Sequence, residues 1–211
     1  MFTKSVMIPK HKMFYVEDGV SVRETLQKLK EHKIDGMPVL SGDRYAGLIT
    51  KHAIYEAAFD SDLSKEEFLD NVKVGSIVIK KDNTTVETDV FEDTLLKVKD
   101  VPLVPVVDEK GNCLGIVTRF DVLSQFQSVF GMNKKGVRIV LSSVETEGRI
   151  LRLSEVTKQF HQNIISLTTF DDSDKLVRRI VMKVEYDNDT DRYIKRLEKN
   201  GFKVLSVKKT D

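Results

Sequence analysis

The 211-residue sequence has a single cysteine, four histidines and no long apolar run. Cys113 cannot form an intramolecular disulfide, which is compatible with a reducing cytoplasm. No apolar stretch approaches the roughly 20 residues that a membrane-spanning helix needs. Residues 1–5 lead into no apolar signal region. We therefore expect a cytoplasmic protein without a membrane segment.

The net charge is small, and no catalytic motif is evident in the sequence. The formal net charge of +1 gives no electrostatic reason to expect a nucleic acid or an acidic membrane as partner. The scattered histidines form no metal-ligand spacing, and no phosphate loop, nucleophile elbow or dinucleotide fingerprint occurs. The apolar surroundings of Cys113 favour a core residue over a nucleophile. The sequence therefore predicts a protein that is not an enzyme and holds no metal.

A repeated pattern is the strongest positive signal in the sequence. An apolar strand and a second strand that begins at a glycine and ends at a threonine occur twice, as GMPVL and GLIT at 36–40 and 47–50, and as LVPVV and GIVT at 103–107 and 115–118. Each copy needs its neighbour to close a core. Two copies predict a pseudo-symmetric module with a functional cleft between its halves.

Helix signals flank each copy. Ser21 and Glu24 have the spacing of a capping box. In the second copy Asp89 is expected to begin a shorter helix that buries Leu95 and Val98. A helix follows each terminal threonine, and a charged connecting helix is expected between the copies, at 61–71. Each copy should therefore read helix, strand, turn, strand, helix.

The repeat resembles a pair of CBS domains, known as a Bateman module. The resemblance covers roughly residues 1–131 and divides them into a first repeat at 1–60, the connecting helix, and a second repeat at 72–131. Such modules hold adenosine-containing ligands in the cleft between their repeats. The resemblance therefore implies binding of AMP, ADP, ATP or a related adenosyl compound.

The resemblance also implies specific contacts. Thr118 and Asp121 match the ribose-binding pattern Thr-x-x-Asp, in which the carboxylate accepts both ribose hydroxyls. Val104 and Pro105 would flank the adenine. An alternative is that Asp121 only caps the helix that follows. In the first copy Ala53 replaces the acid, so we expect one competent site.

Basic residues near both threonines are candidates for phosphate contacts. They are Arg119 in the second copy and Lys51 and His52, which follow Thr50 in the first. The alternative for Lys51 and His52 is a solvated helix start without a ligand.

The last third of the chain follows a different pattern. After a linker at 132–136, residues 137–211 alternate in the order βαββαβ, with elements expected at 137–144, 148–160, 164–170, 179–186, 189–200 and 203–208. This is the ferredoxin-like order, so the whole chain should have an α/β (α+β) fold.

The details of this last third resemble an ACT domain, a small amino-acid-sensing module. Glu145 and Gly148 stand in the positions of its Asp-x-x-Gly turn, and Asn163-Ile164 stands at the next strand. Glutamate replaces the usual aspartate. The resemblance implies an amino-acid site, and the alternative is a domain used only for dimerisation.

A CBS pair followed by an ACT domain is similar to the architecture of AcuB-like proteins. This order implies a non-catalytic sensor that binds an adenosine nucleotide, couples its occupancy to the C-terminal domain and forms a homodimer. Two alternatives stay open: a receptor for the cyclic dinucleotide c-di-AMP, and a ligand-free interaction scaffold.

Overall fold

The computed structural model describes residues 2–144, 146–171, 177–186 and 189–210. The chain divides into two compact units, Met1–Leu123 and Ser124–Asp211. Helices and strands alternate in both units, which confirms the predicted α/β (α+β) class. The domain boundaries given above stay predictions.

Two β-hairpins form the centre of the N-terminal unit. The first pairs β3 (Gly36–Ser41) with β4 (Arg44–Thr50), and the second pairs β5 (Leu103–Val107) with β6 (Cys113–Thr118). Pro38 lies opposite Leu48 and Pro105 opposite Ile116. The register shifts directly after the valine that follows each proline, Val39 in the first hairpin and Val106 in the second. The two copies of the sequence pattern therefore fold with one register.

Each hairpin pairs along its second strand with a segment from another part of the chain. β1 (Ile8–Pro9) pairs antiparallel with β6, so that Ile8 lies opposite Ile116. In the first repeat Ile79 occupies the equivalent place and exchanges backbone hydrogen bonds of 2.8 and 2.9 Å with Leu48. The N-terminal segment thus belongs to the sheet of the second repeat, a pairing that the sequence pattern does not reveal.

These neighbouring segments explain why each copy has a glycine in its second strand, Gly47 in the first and Gly115 in the second. A Cβ atom on Gly47 would lie 2.6 Å from Cβ of Val78, and one on Gly115 would overlap the carbonyl oxygen of Ile8. Real Cβ atoms essentially never approach other atoms so closely. The glycines therefore permit close approach of a neighbouring backbone.

The N-terminal part of the first repeat contains a parallel strand and a capped helix. β2 (Val16–Glu17) pairs with β3, and α1 (Val22–Glu31) follows. The Ser21 hydroxyl accepts a hydrogen bond of 3.3 Å from the Glu24 amide. The predicted Ser21 cap is therefore present.

The remaining helices of this unit follow the strand pairs and the connection between them. They are α2 (Lys51–Phe59), α3 (Lys65–Asn71), α4 (Thr94–Lys97) and α5 (Arg119–Val129), of which α5 extends into the C-terminal unit. α3 begins with a complete capping box at Ser64 and Glu67 and ends at Asn71, so it covers the later part of the connecting segment expected at 61–71.

The helix of the second repeat differs from its prediction. A 3-10 helix at Phe91–Asp93 precedes α4, and Phe91, Thr94 and Val98 are buried while Leu95 is 41% exposed. The predicted burial of Leu95 is wrong, because three residues per turn place positions 91 and 94 on the same inner face. Asp89 does not begin this helix.

Asp89 instead organises the turn before the helix. Its carboxylate accepts hydrogen bonds from the Thr85 hydroxyl at 2.7 Å and from the Val86 amide at 3.2 Å. These bonds lower the pKa of Asp89.

The C-terminal unit has the predicted βαββαβ order. It comprises β7 (Gly136–Val144), α6 (Arg149–Gln159), β8 (Ile164–Asp171), β9 (Val177–Val184), α7 (Thr190–Lys199) and β10 (Lys203–Thr210). The antiparallel sheet has the order β10-β7-β9-β8, which is a split βαβ arrangement. Leu153 of α6 and Tyr193 and Leu197 of α7 pack with the sheet residues in one core.

We expect Gly115→Ala to lower the free energy of unfolding by about 1–3 kcal/mol, because the new methyl group would force β1 away from β6. Urea denaturation measures the change. Gly19→Ala is the matched control, because nothing lies within 4 Å of its Cβ position, and we expect a change within about 0.5 kcal/mol. Equal stability of the Gly115 variant and the wild type would contradict this explanation of the repeated glycine.

Candidate functional site

A cavity of about 340 Å³ opens within the N-terminal unit beside the predicted ribose-binding residues. Its walls come from the N-terminal segment, from the residues that lead into β3 and β5, and from the junction of β6 with α5. Most of its side chains are apolar, including Ile8, Phe14, Ile34, Leu103, Ile116 and Phe120. The cavity therefore lies between the two repeats, where the sequence places its cleft.

Thr118 is one of the few polar residues in this mostly apolar wall. The hydroxyl donates a hydrogen bond of 2.5 Å to Oδ2 of Asp121, and the Thr118 amide donates another of 3.1 Å to the same oxygen. In return the Asp121 amide donates to the Thr118 hydroxyl at 3.1 Å. These reciprocal bonds form a capping box at the start of α5.

Asp121 thus has the capping contacts that the sequence offered as an alternative to ribose binding. It does not itself line the cavity, but it is bound to Thr118, which does. Within the described residues, Oδ1 of Asp121 receives no hydrogen bond, so one carboxylate oxygen has full capacity to accept. A capping role leaves this oxygen available to a ligand hydroxyl.

The first repeat contains only half of this arrangement. The Thr50 hydroxyl accepts a hydrogen bond of 3.0 Å from the Ala53 amide and caps α2. Ala53 is 5% exposed and carries no carboxylate to return the bond. The two helix starts therefore share a cap but differ in their capacity to bind a diol.

The three predicted phosphate ligands have other surroundings. Arg119 donates from Nε to the Val98 carbonyl at 3.0 Å and from Nη2 to the Val101 carbonyl at 2.9 Å, so its guanidinium binds the loop before β5. Lys51 donates to Asp35 at 3.0 Å. The His52 side chain is 87% exposed and lies 3.7 Å from Glu56. Arg119 therefore anchors the loop before β5, and the phosphate contacts stay predictions.

Val104 and Pro105 also differ from their expected position. Both are buried in β5 and neither lines the cavity. Pro102 and Leu103, just before them, line it instead. All five residues of β5 are buried, and the adenine contact of Val104 and Pro105 stays a prediction.

Sequence reasoning missed the contribution of the N-terminal segment. Lys12 and Phe14 line the cavity, and Met13 between them lines it with only 7% of its surface exposed. The Phe14 ring stacks on His32 with 3.6 Å between ring centroids and an angle of 15°. The missing signal was the pairing of Ile8 with Ile116, which brings this segment to the second repeat.

Cys113 lies in the core of β6 and is 2% exposed. Burial raises the pKa of its thiol, which reduces the fraction of reactive thiolate. This agrees with the predicted core role of Cys113.

The hairpin tips join the two sheets beside Cys113. The Cys113 amide donates to the Asp43 carbonyl at 2.8 Å, and the Tyr45 amide donates to the Gly111 carbonyl at 3.0 Å. Backbone hydrogen bonds therefore hold the two repeats together at this end.

The predicted amino-acid contacts of the C-terminal unit are not brought together. Gly148 lines a cavity of about 280 Å³ at the start of α6, whereas Asn163 and Ile164 line another of about 550 Å³. The Asn163 side chain also donates to Glu185 at 2.9 Å. Glu145 lies outside the described residues. A single amino-acid site within one chain is therefore not formed by the described part of this set.

One family accounts for the paired hairpins. Residues 4–60 and 74–128 match the CBS domain, and together these two stretches make up more than half of the chain. The two hairpins, each paired with a distant segment, thus belong to two CBS domains in tandem. The chain belongs to the CBS domain family.

The chain is also similar to a curated protein. An inosine-5'-monophosphate dehydrogenase of Korarchaeum cryptofilum is 25% identical over 162 residues, which cover 70% of this chain and 32% of that protein. The chain thus spans about a third of the length of that relative.

The solved structures match in fold. CBSX2 in complex with AMP has a TM-score of 0.53 and 21% identity, covering 63% of this chain and 98% of that chain. CbpB in complex with c-di-AMP has a TM-score of 0.54 and 20% identity, covering 61% and 85%.

Across the ranges that the structure describes, no helix is both long and apolar enough to cross a membrane.

Without ligand, we expect Asp121→Ala and Thr118→Ala each to lower the free energy of unfolding by about 1 kcal/mol, because each removes one side of the cap. The double variant should lose less than the sum, since both residues belong to one hydrogen-bonded unit. Chemical denaturation of the four proteins measures this cycle. Strict additivity of the two losses would contradict the reciprocal cap.

Proposed function

We propose that this protein is a cytoplasmic, non-catalytic regulator that binds an adenosine-containing nucleotide between its CBS repeats. The ribose would contact Thr118 and Asp121, and the base would lie against the apolar walls of the cavity. Occupancy would then alter the state of the C-terminal unit. The single observation that carries the proposal is that Thr118, which lines a mostly apolar cavity, is hydrogen-bonded to a carboxylate with one unused oxygen.

The chemistry of the cavity supports a nucleoside. Apolar and aromatic walls with few polar groups are typical of small-molecule sites, and a carboxylate beside a hydroxyl suits a sugar diol. The complex of CBSX2 with AMP supports an adenine nucleotide, although it resembles this chain in fold alone. The complex of CbpB with c-di-AMP supports a cyclic dinucleotide as the second candidate.

Helix α5 supports the proposed coupling. It begins at the Thr118–Asp121 cap, and the chain at its far end is bound by the C-terminal sheet. The Ser166 hydroxyl donates to the Phe130 carbonyl at 3.0 Å, and the Lys183 ammonium donates to the Gly131 carbonyl at 2.9 Å. Lys183 is only 4% exposed. A ligand that altered the cap would therefore act on an element anchored at both ends.

The proposal includes a symmetric homodimer, as both domain resemblances imply. Exposed aromatic side chains on α2 support it, because Tyr55 and Phe59 are 56% and 90% exposed and aromatic residues are enriched at protein interfaces. The βαββαβ order of the C-terminal unit supports its resemblance to an ACT domain. An amino-acid ligand is not part of the proposal, since Gly148 and Asn163 line different cavities.

A ligand panel tests the proposal directly. We expect AMP, ADP, ATP or another adenosyl compound to raise the stability of the protein by about 2.7 kcal/mol at 100 times its dissociation constant. Thermal unfolding with each nucleotide, S-adenosylmethionine, NADH and c-di-AMP measures this effect. Stabilisation by c-di-AMP alone would favour the second candidate, and no stabilisation by any compound would contradict nucleotide binding.

We expect Asp121→Ala to weaken nucleotide binding by about 10- to 150-fold, the equivalent of one charge-assisted hydrogen bond of about 1.5–3 kcal/mol. Isothermal calorimetry measures the affinity. The matched control is Thr50→Ala, which removes the corresponding cap in the first repeat at a residue that does not line the cavity. We expect it to retain wild-type affinity. An equal loss in both variants would indicate a general effect of stability and would contradict a ribose contact.

A further inference from the structure

The charged groups around the cavity are unequal in one respect. Two charged residues line it, Lys12 and Asp35. The Asp35 carboxylate accepts a hydrogen bond of 3.0 Å from Lys51. Within the described residues, the Lys12 ammonium forms no hydrogen bond or ion pair. Of the two charged residues that line the cavity, Lys12 is therefore the one without a direct partner among the described residues.

Two other cations near the cleft have partners within the protein. Arg119 binds the carbonyl groups of Val98 and Val101. Lys10 lies 2.7 Å from Asp43, and this contact raises the pKa of Lys10. Neither Arg119 nor Lys10 lines the cavity. Elimination thus leaves Lys12 as the cation that faces a ligand.

The backbone of Lys12 is fixed although its side chain is exposed. Ile8 and Pro9 are paired with β6 on one side of a 3-10 helix at Lys10–Lys12, and Met13 is buried on the other side. The segment is therefore held at both ends while the lysine extends from the rim. A lysine of this kind acts as a mobile point charge.

The start of α5 gives phosphate few alternative donors. The Arg119 amide donates to the Pro102 carbonyl at 2.8 Å, and the Asp121 amide donates to Thr118. Two of the first three amides of the helix are thus already bound. Anion binding at this helix start, which usually relies on free amides, is weakened.

We propose that Lys12 determines the preference of this site for a phosphorylated nucleotide over the uncharged nucleoside. The inference rests on the proposed function and adds the residue that recognises the phosphate. Thr118 and Asp121 would contact the sugar, and Lys12 would neutralise the phosphate at the rim. Lys12 follows β1 and Thr118 ends β6, so the pairing of these two strands brings both residues to the same cavity.

The test compares AMP with adenosine. We expect Lys12→Gln to weaken AMP binding about tenfold, which corresponds to 1.4 kcal/mol, and to leave adenosine binding unchanged. Lys12→Arg should restore most of the AMP affinity, because it retains the charge. Calorimetry at low and at high salt provides a second readout, since salt screens an exposed contact. The salt dependence of AMP binding should be smaller in Lys12→Gln than in the wild type.

The matched control is Lys28→Gln, which removes the same charge from an exposed position of α1 that does not line the cavity. We expect it to bind AMP as the wild type does. Equal AMP affinity in Lys12→Gln and the wild type would overturn the assignment, as would an equal loss for adenosine and AMP. Failure of the wild type to bind either compound would instead contradict the proposed function itself.

Discussion

The N-terminal unit depends on backbone pairing between each hairpin and a distant segment of the chain. β1 completes the second repeat and Ile79 completes the first, and each approaches a glycine that has no Cβ in the way. Because β1 is fixed against β6, the residues after it reach the cleft. The same backbone pairing that closes the sheet therefore also supplies Lys12 and Phe14 to the cavity.

The two repeats differ at one side chain of an otherwise similar helix start, Ala53 in the first and Asp121 in the second. Thr50 and Thr118 both cap the helix that follows, and the folds around them are equivalent. Asp121 adds a second, reciprocal bond and a carboxylate oxygen, whereas Ala53 adds only a buried methyl group. Capping and ligand binding are thus compatible in one residue, because a carboxylate has more acceptor positions than a cap uses.

Local sequence patterns predicted the local structure well. The paired hairpins, the Ser21 cap and the βαββαβ order follow from hydrophobic periodicity and capping residues, which act over a few positions. The burial of Leu95 was predicted wrongly, because a 3-10 turn shifts the inner face of the helix. Propensity alone does not distinguish this turn from an α-helix.

The candidate site was harder to predict because it depends on distant contacts. Thr118 could be identified from its motif, but Phe14 lines the same cavity only because Ile8 pairs with Ile116. The structure also shows Arg119 bound to backbone carbonyls, a use that its charge does not reveal. The pairing of β1 has a further consequence for biosynthesis. β1 is translated about a hundred residues before its partner strand β6, so the second repeat acquires its full sheet only after most of the N-terminal unit has been translated.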